Sequence, residues 1–220
     1  MTSVISIEEV IETINSVKKY SFLTRGEEFQ KDAITSLDKA KKKASDVKKH
    51  VISQENEKEA NRILSIEEFI KALINELKVW IALKNDDPDT AWDHLVKAQT
   101  AYRYSIRANN NNEHTSERLK RLLILEEVIF PPQIFTSPGT IVLESRCSIC
   151  NDDFSKCNHL KGMPYMGEFC TREITKARLL ETSIVSKPAN KHCRMIAFTL
   201  DNEFRNIMTW RIVEEDNNQE

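Results

Sequence analysis

The chain of 220 residues has a net charge of −2, with 40% hydrophobic and 30% charged side chains. That is the balance of a soluble globular protein, with room for one sizeable domain or for one ordinary and one small domain. Charge is close to neutral on both sides of Phe130, which argues against a polyanion-binding module held by bulk charge. No apolar run reaches bilayer-spanning length, and Met1 to Val10 lacks the basic lead and apolar core of a signal peptide, so the expectation is a cytoplasmic protein with no membrane association.

Residues 1–130 read as a helical bundle. Ser6 with Glu9, and Thr24 with Glu27, have the capping-box spacing that marks a helix start. From the second start, Ala33, Leu37, Ala40, Ala44, Val47 and Val51 form a small-residue seam on a long helix, which implies close approach of a neighbour. Ser65 and Glu68 repeat the capping-box spacing ahead of Ile66, Phe69, Ile70, Leu73, Leu77, Trp80 and Ile81, a broad apolar face. Asp87-Pro88 sets a cap and a first-turn proline for a fourth helix, with Ala91, Leu95, Ala98, Tyr102 and Ile106 on one side and Trp92 and Val96 widening it. The asparagine run 109–112 breaks it, and a last helix from about Thr115 carries Leu119, Leu122, Leu123 and Val128. Short loops predict about five mostly antiparallel helices.

The composition changes at Pro131-Pro132. All five cysteines, five of the six prolines and three of the four glycines lie beyond Phe130. Residues 131–213 read as a small β domain and residues 214–220 as a polar, frayed tail. Thr140 to Glu144, Leu179 to Val185, Arg194 to Leu200 and Ile207 to Val213 are the strand candidates, while Thr171 to Lys176 is ambiguous. Between the first two strands lie Cys147-Ser148-Ile149-Cys150, Cys157-Asn158-His159 and Cys170. A Cys-x2-Cys turn aims two thiolates at one point, and a second cluster a short loop away closes a tetrahedron of ligands suited to zinc. Five candidates compete for four places: Cys147, Cys150, Cys157 and His159 are favoured, with Cys170 as a substitute for one of the close-spaced pair or a nearby free thiol. Gly162 and Gly167 around Pro164 and Tyr165 fit an irregular loop ordered by a structural Zn2+. Disulfides are disfavoured in a reducing compartment, and a catalytic zinc is disfavoured because such sites use fewer thiolates and keep an open position.

Two features of the helical part bear on function. Lys39, Lys41, Lys42, Lys43, Lys48, Lys49 and His50 crowd the long helix opposite its seam; with Asp38 and Asp46 among them and no interleaved aromatics, a solvated face is preferred to a phosphate grip, though nucleic acid stays a possible partner. Arg107 and His114 have a spacing that resembles the loose arginine-to-histidine signature of the HEPN ribonucleases. That resemblance implies a dimeric bundle gathering two such pairs around an RNA phosphate; the competing reading is a loop-exposed histidine.

The run Leu179-Leu180-Glu181-Thr182-Ser183-Ile184-Val185-Ser186-Lys187-Pro188-Ala189-Asn190 resembles the Glu-x-Ser-x-Val-x-x-Pro-Ala-Asn segment near the end of tailed-phage prohead maturation proteases. The Cys-Ser-Ile-Cys knuckle, with its following Cys-x-His and Gly-x-x-Tyr, resembles zinc-containing phage and bacterial proteins sharing that tail. The match covers about a quarter of the chain and implies a shared β scaffold more than proteolysis, because no serine-histidine pair can be placed around Glu181. The expected protein is therefore α+β, a helical bundle followed by a small zinc-stabilised β domain. Its expected role is a non-catalytic adaptor or accessory subunit of a bacterial or phage assembly, binding a protein partner or larger complex. The alternatives are a HEPN-like RNA-cleaving toxin or defence effector and a degenerate prohead-type protease.

Overall fold

The computed structural model describes residues 7–109 and 113–213. Ser6, the asparagines 110–112 and the tail 214–220, on which some of these expectations rest, lie outside the described residues. The fold is α+β: helices α1 (Ile7–Val17), α2 (Glu27–Ser53), α3 (Glu57–Lys84), α4 (Pro88–Ala108) and α5 (Glu113–Ile129) precede three two-stranded antiparallel sheets.

The bundle is organised around α3, which is buried on most of its surface between α2 and α4. Ala33, Leu37, Ala40, Ala44 and Val51 form the buried seam of α2, as their spacing predicts. Phe69 of α3 meets Tyr102 of α4 edge-on, with ring centroids 5.5 Å apart. Asp87 caps α4, accepting from the Thr90 backbone N–H at 3.0 Å.

Two other expected caps are not formed. α2 is preceded by Gly26 with no side-chain cap, and the approach to it is held instead by Gln30, whose Nε2 donates to the carbonyls of Tyr20 and Phe22. α3 begins well before Ser65, capped by Asn56, whose side chain accepts from the Glu59 N–H. Ser65 and Ser105 instead exchange buried bonds, each hydroxyl donating to the other's carbonyl at 2.7 and 2.8 Å, so the serine marks a close α3–α4 crossing and not a helix start. On α5 the expected apolar face is only partly used: Leu122 is buried and Val128 is 75% exposed, because the helix packs mainly along α4 and leaves its other side open.

Beyond the prolines, β1 (Phe135–Cys147) and β4 (Arg172–Val185) form one long ribbon, running from the pair Phe135–Val185 to the pair Cys147–Arg172. The ambiguous stretch Thr171 to Lys176 and the candidate Leu179 to Val185 thus belong to a single strand. β2 (Pro164–Tyr165) and β3 (Glu168–Phe169) make a small hairpin within the connection. β5 (Ala197–Leu200) and β6 (Glu203–Asn206) make the last hairpin, turned by Asp201 and Asn202, both at positive φ. The expected strand Ile207 to Val213 is not one. It folds back as a turn containing Trp210 at φ 59, because β5 has already found its partner across the tight turn.

The strand region draws its anchoring from the bundle. Phe135 enters the bundle core beside Trp92, whose Nε1 donates to the Lys191 carbonyl at 3.1 Å. Asp89 of α4 pairs with Arg194 and accepts from Asn206, while Lys191 pairs with Glu126 of α5.

Candidate metal centre

The ribbon determines where the candidate metal ligands meet. β1 ends at Cys147 directly opposite Arg172, so the segment between them must leave and return at one place. Cys147 opens a knuckle: its carbonyl accepts from Asn151 N–H at 2.8 Å, its Sγ accepts from Ile149 N–H, and Asn151 takes positive φ to close the turn. The β2–β3 hairpin turns through Met166 and Gly167, both at positive φ, a two-residue turn of the kind that glycine favours. It delivers Cys170, whose N–H donates to the Met163 carbonyl and whose carbonyl accepts from Gly162.

Donor atoms of Cys147, Cys150, Cys157 and His159 all lie within 4.8 Å of one another and can hold a metal ion. Cys170 adds a fifth donor, with its Sγ 3.6 Å from that of Cys147. This is far beyond the roughly 2.05 Å of a disulfide. It is close to the edge of about 3.75 Å between two thiolates bound tetrahedrally at about 2.3 Å from one zinc. The imidazole Nδ1 of His159 is buried with no hydrogen-bond partner, as expected of a ligand atom facing a metal. The ring is seated edge-on against Tyr165, whose hydroxyl accepts from Leu160 N–H.

The thiols differ in acidity. Burial opposes ionisation of Cys147, yet the N–H groups of Cys150 and Ile149 and the thiol of Cys170 bring it down to about 6. Burial and the neighbouring Cys147 push Cys170 up to about 11. At Cys150 the Asp152 N–H favours the thiolate, but burial and Cys147 outweigh it and the value is raised. Negative charge therefore collects first on Cys147, and a bound cation would favour ionisation of Cys150 and Cys170 beside it.

The loop is clamped to the bundle by Lys48, expected on a solvated face, and by residues that the sequence did not single out. Lys48 of α2 donates both to Glu67 and to the Gly167 carbonyl, at 2.6 and 3.0 Å. Asn61 of α3 accepts from Gly167 N–H at 2.8 Å, and Glu57 accepts from Met166 N–H. Tyr104 packs on Phe169 with centroids 4.7 Å apart. Any side chain at Gly167 would press on Lys48, and one at Gly162 would collide with Arg107. The only signal in the sequence was the pair of glycines; nothing local announced their partners.

Neither the chain nor any part of it matches a family model, a curated protein or a solved structure.

The remaining candidates are dispersed. Arg107 donates to the Gly162 carbonyl, whereas His114 sits beside Lys18 and Arg118, so the two residues of the HEPN-like spacing serve different surroundings. Within the lysine-rich face of α2, Lys43 pairs with Glu9, Lys49 with Asp46 and Lys48 with Glu67. Glu181 is on the exposed ribbon and accepts from Ser183, while the rings of His50, His94 and His192 bond to Gln54, Asn75 and Asp93.

Proposed function

We propose that the metal is a structural zinc ion and that the protein is a non-catalytic adaptor whose ribbon and metal loop, fixed to a helical bundle, form the binding part. The observation that carries the zinc reading is the thiolate-rich donor set at the closed end of the ribbon. Cys147, Cys150, Cys157 and His159 would hold the ion, with Cys170 able to replace one of them. Cys147 and Cys170 are fully buried, and so many thiolates suit a site that orders a loop better than one that activates water. Elemental analysis of freshly purified, reduced protein tests this: about one zinc per chain is expected, and metal-free, fully folded protein would overturn it.

The adaptor reading is supported by the apolar side chains that the ribbon leaves in solvent. Leu143, Ile174, Leu179, Leu180 and Ile184 are all more than half exposed, which is costly for an isolated two-stranded ribbon and is expected of a surface that another protein covers. A bacterial or phage assembly is the setting that the tail resemblance suggests. Co-purification from the native host, with bound proteins identified by mass spectrometry, should recover a partner that is lost on replacing Leu179 and Leu180 by serine. RNA or casein cleavage by the purified protein, abolished by His114→Ala or by Glu181→Gln, would replace the adaptor reading with a catalytic one.

A further inference from the structure

A second cluster lies in the bundle, centred on Glu76, which is about four helical turns along α3 from the loop-binding Asn61. Its carboxylate is buried and accepts from Tyr102 Oη at 2.7 Å, from Arg118 at 3.2 Å and from Arg121. Two guanidiniums on one carboxylate leave a positive charge over. Lys18 adds another, standing above the Phe69 ring at 5.4 Å, donating to the neutral Asn15 Oδ1 at 2.9 Å, and pushed below its ordinary pKa by burial and then by Arg118. His114 at the edge is lowered by burial and by the same two cations, with Glu117 as the carboxylate that acts on it. Arg121 also covers Phe22 and donates to the Ser21 carbonyl, which closes the cluster on the α1–α2 connection.

Its donors are not all used. Among the described residues Arg118 Nε, Arg121 Nε and Ser21 Oγ are buried without a hydrogen-bond partner, as is Thr115 Oγ1 one turn before Arg118 on α5, and Ser21 and Thr115 are wholly buried residues. Excess cations beside unmatched N–H and hydroxyl groups in a dry setting are the reverse of what a purely structural ion pair requires, since every buried donor left unmatched is destabilising. A group with two negative charges and several acceptor oxygens would complete it. We propose that Lys18, Arg118, Arg121, Thr115 and Ser21 form a binding site for a phosphoryl group. Lys18, partly buried, and Arg121, whose side chain is 34% exposed, form its outer edge. This inference is independent of the zinc reading and of the adaptor role.

The test is calorimetric titration of the full chain with inorganic phosphate, and in a second arm with AMP, in chloride buffer of constant ionic strength. Saturable one-site binding that raises the melting temperature is expected in at least one arm. Lys18 does not touch Glu76, so Lys18→Gln should leave the circular dichroism unchanged and weaken binding about tenfold. Thr115→Val should weaken it by a smaller factor. Tighter binding of AMP than of phosphate assigns the group to a phosphomonoester, and the opposite order assigns it to the free anion. Absence of saturable binding at millimolar concentrations of both, or binding unaffected by either substitution, overturns the proposal.

Discussion

The helical bundle and the ribbon with its metal loop are stabilised by different means. In the bundle, Leu37, Ile63, Ile70, Leu73, Leu77 and Leu95 are wholly or almost wholly removed from water, and Ser65 and Ser105 satisfy one another where α3 crosses α4. On the ribbon, Leu179 is 63% and Ile184 70% exposed, and burial is concentrated at the two ends, where Phe135 enters the bundle core and where Cys147 and Cys170 meet. Apolar area removed from water can support the first region. The second has too little of it and draws on a few contacts with α2, α3, α4 and α5 and, in the reading proposed above, on a metal.

The strongest way to break that comparison is to remove the metal. Chelation, or Cys147→Ser, should abolish hydrogen-exchange protection across the metal loop and the adjoining end of the ribbon while most of the helical circular dichroism survives. Equal loss in both regions would show a single cooperative unit. Acid should act in the same direction. Metal competes with protons for the thiols, so affinity rises with pH while Cys150 and Cys170, both raised, still carry protons. Below about 6, where the metal-free Cys147 thiol also takes up a proton, affinity should fall more steeply with each further drop in pH. Titration of bound metal against pH checks this.

In the bundle, Leu73→Ala removes a fully buried side chain of α3 and should cost about 2–5 kcal/mol in denaturant unfolding. A smaller effect is expected of Asn61→Ala, which deletes the acceptor of the Gly167 N–H and should cost about 0.5–1.5 kcal/mol, measured as faster local exchange in the metal loop. Least of all, Leu179→Ser on the ribbon should change stability by less than about 0.5 kcal/mol, because the side chain is already in solvent. A large loss there would mean that the ribbon is covered within the free protein.

Local chemistry was legible in the sequence. The 3.6-residue periodicity of α2 and α4, the Asp87-Pro88 start, the change of character at Pro131 and the Cys-x2-Cys knuckle each depend on residues a few positions apart, and backbone sterics and hydrogen bonding settle them wherever they occur. Spacing alone misread Ser65 and Thr24, because a Ser/Thr-x-x-Glu pattern fits the surface of any helix and only the neighbouring chain decides whether the hydroxyl caps a terminus or crosses to another helix. Tertiary structure decided the rest. The antiparallel return of β4 brings Cys170 to Cys147 across 23 residues. Lys48 and Asn61 find a backbone more than a hundred residues away, and Lys18, Glu76, Arg118 and Arg121 gather from two helices, α3 and α5, and the α1–α2 connection. Such meetings follow from which surfaces exclude water together, a property of the packed chain that no short window of residues contains.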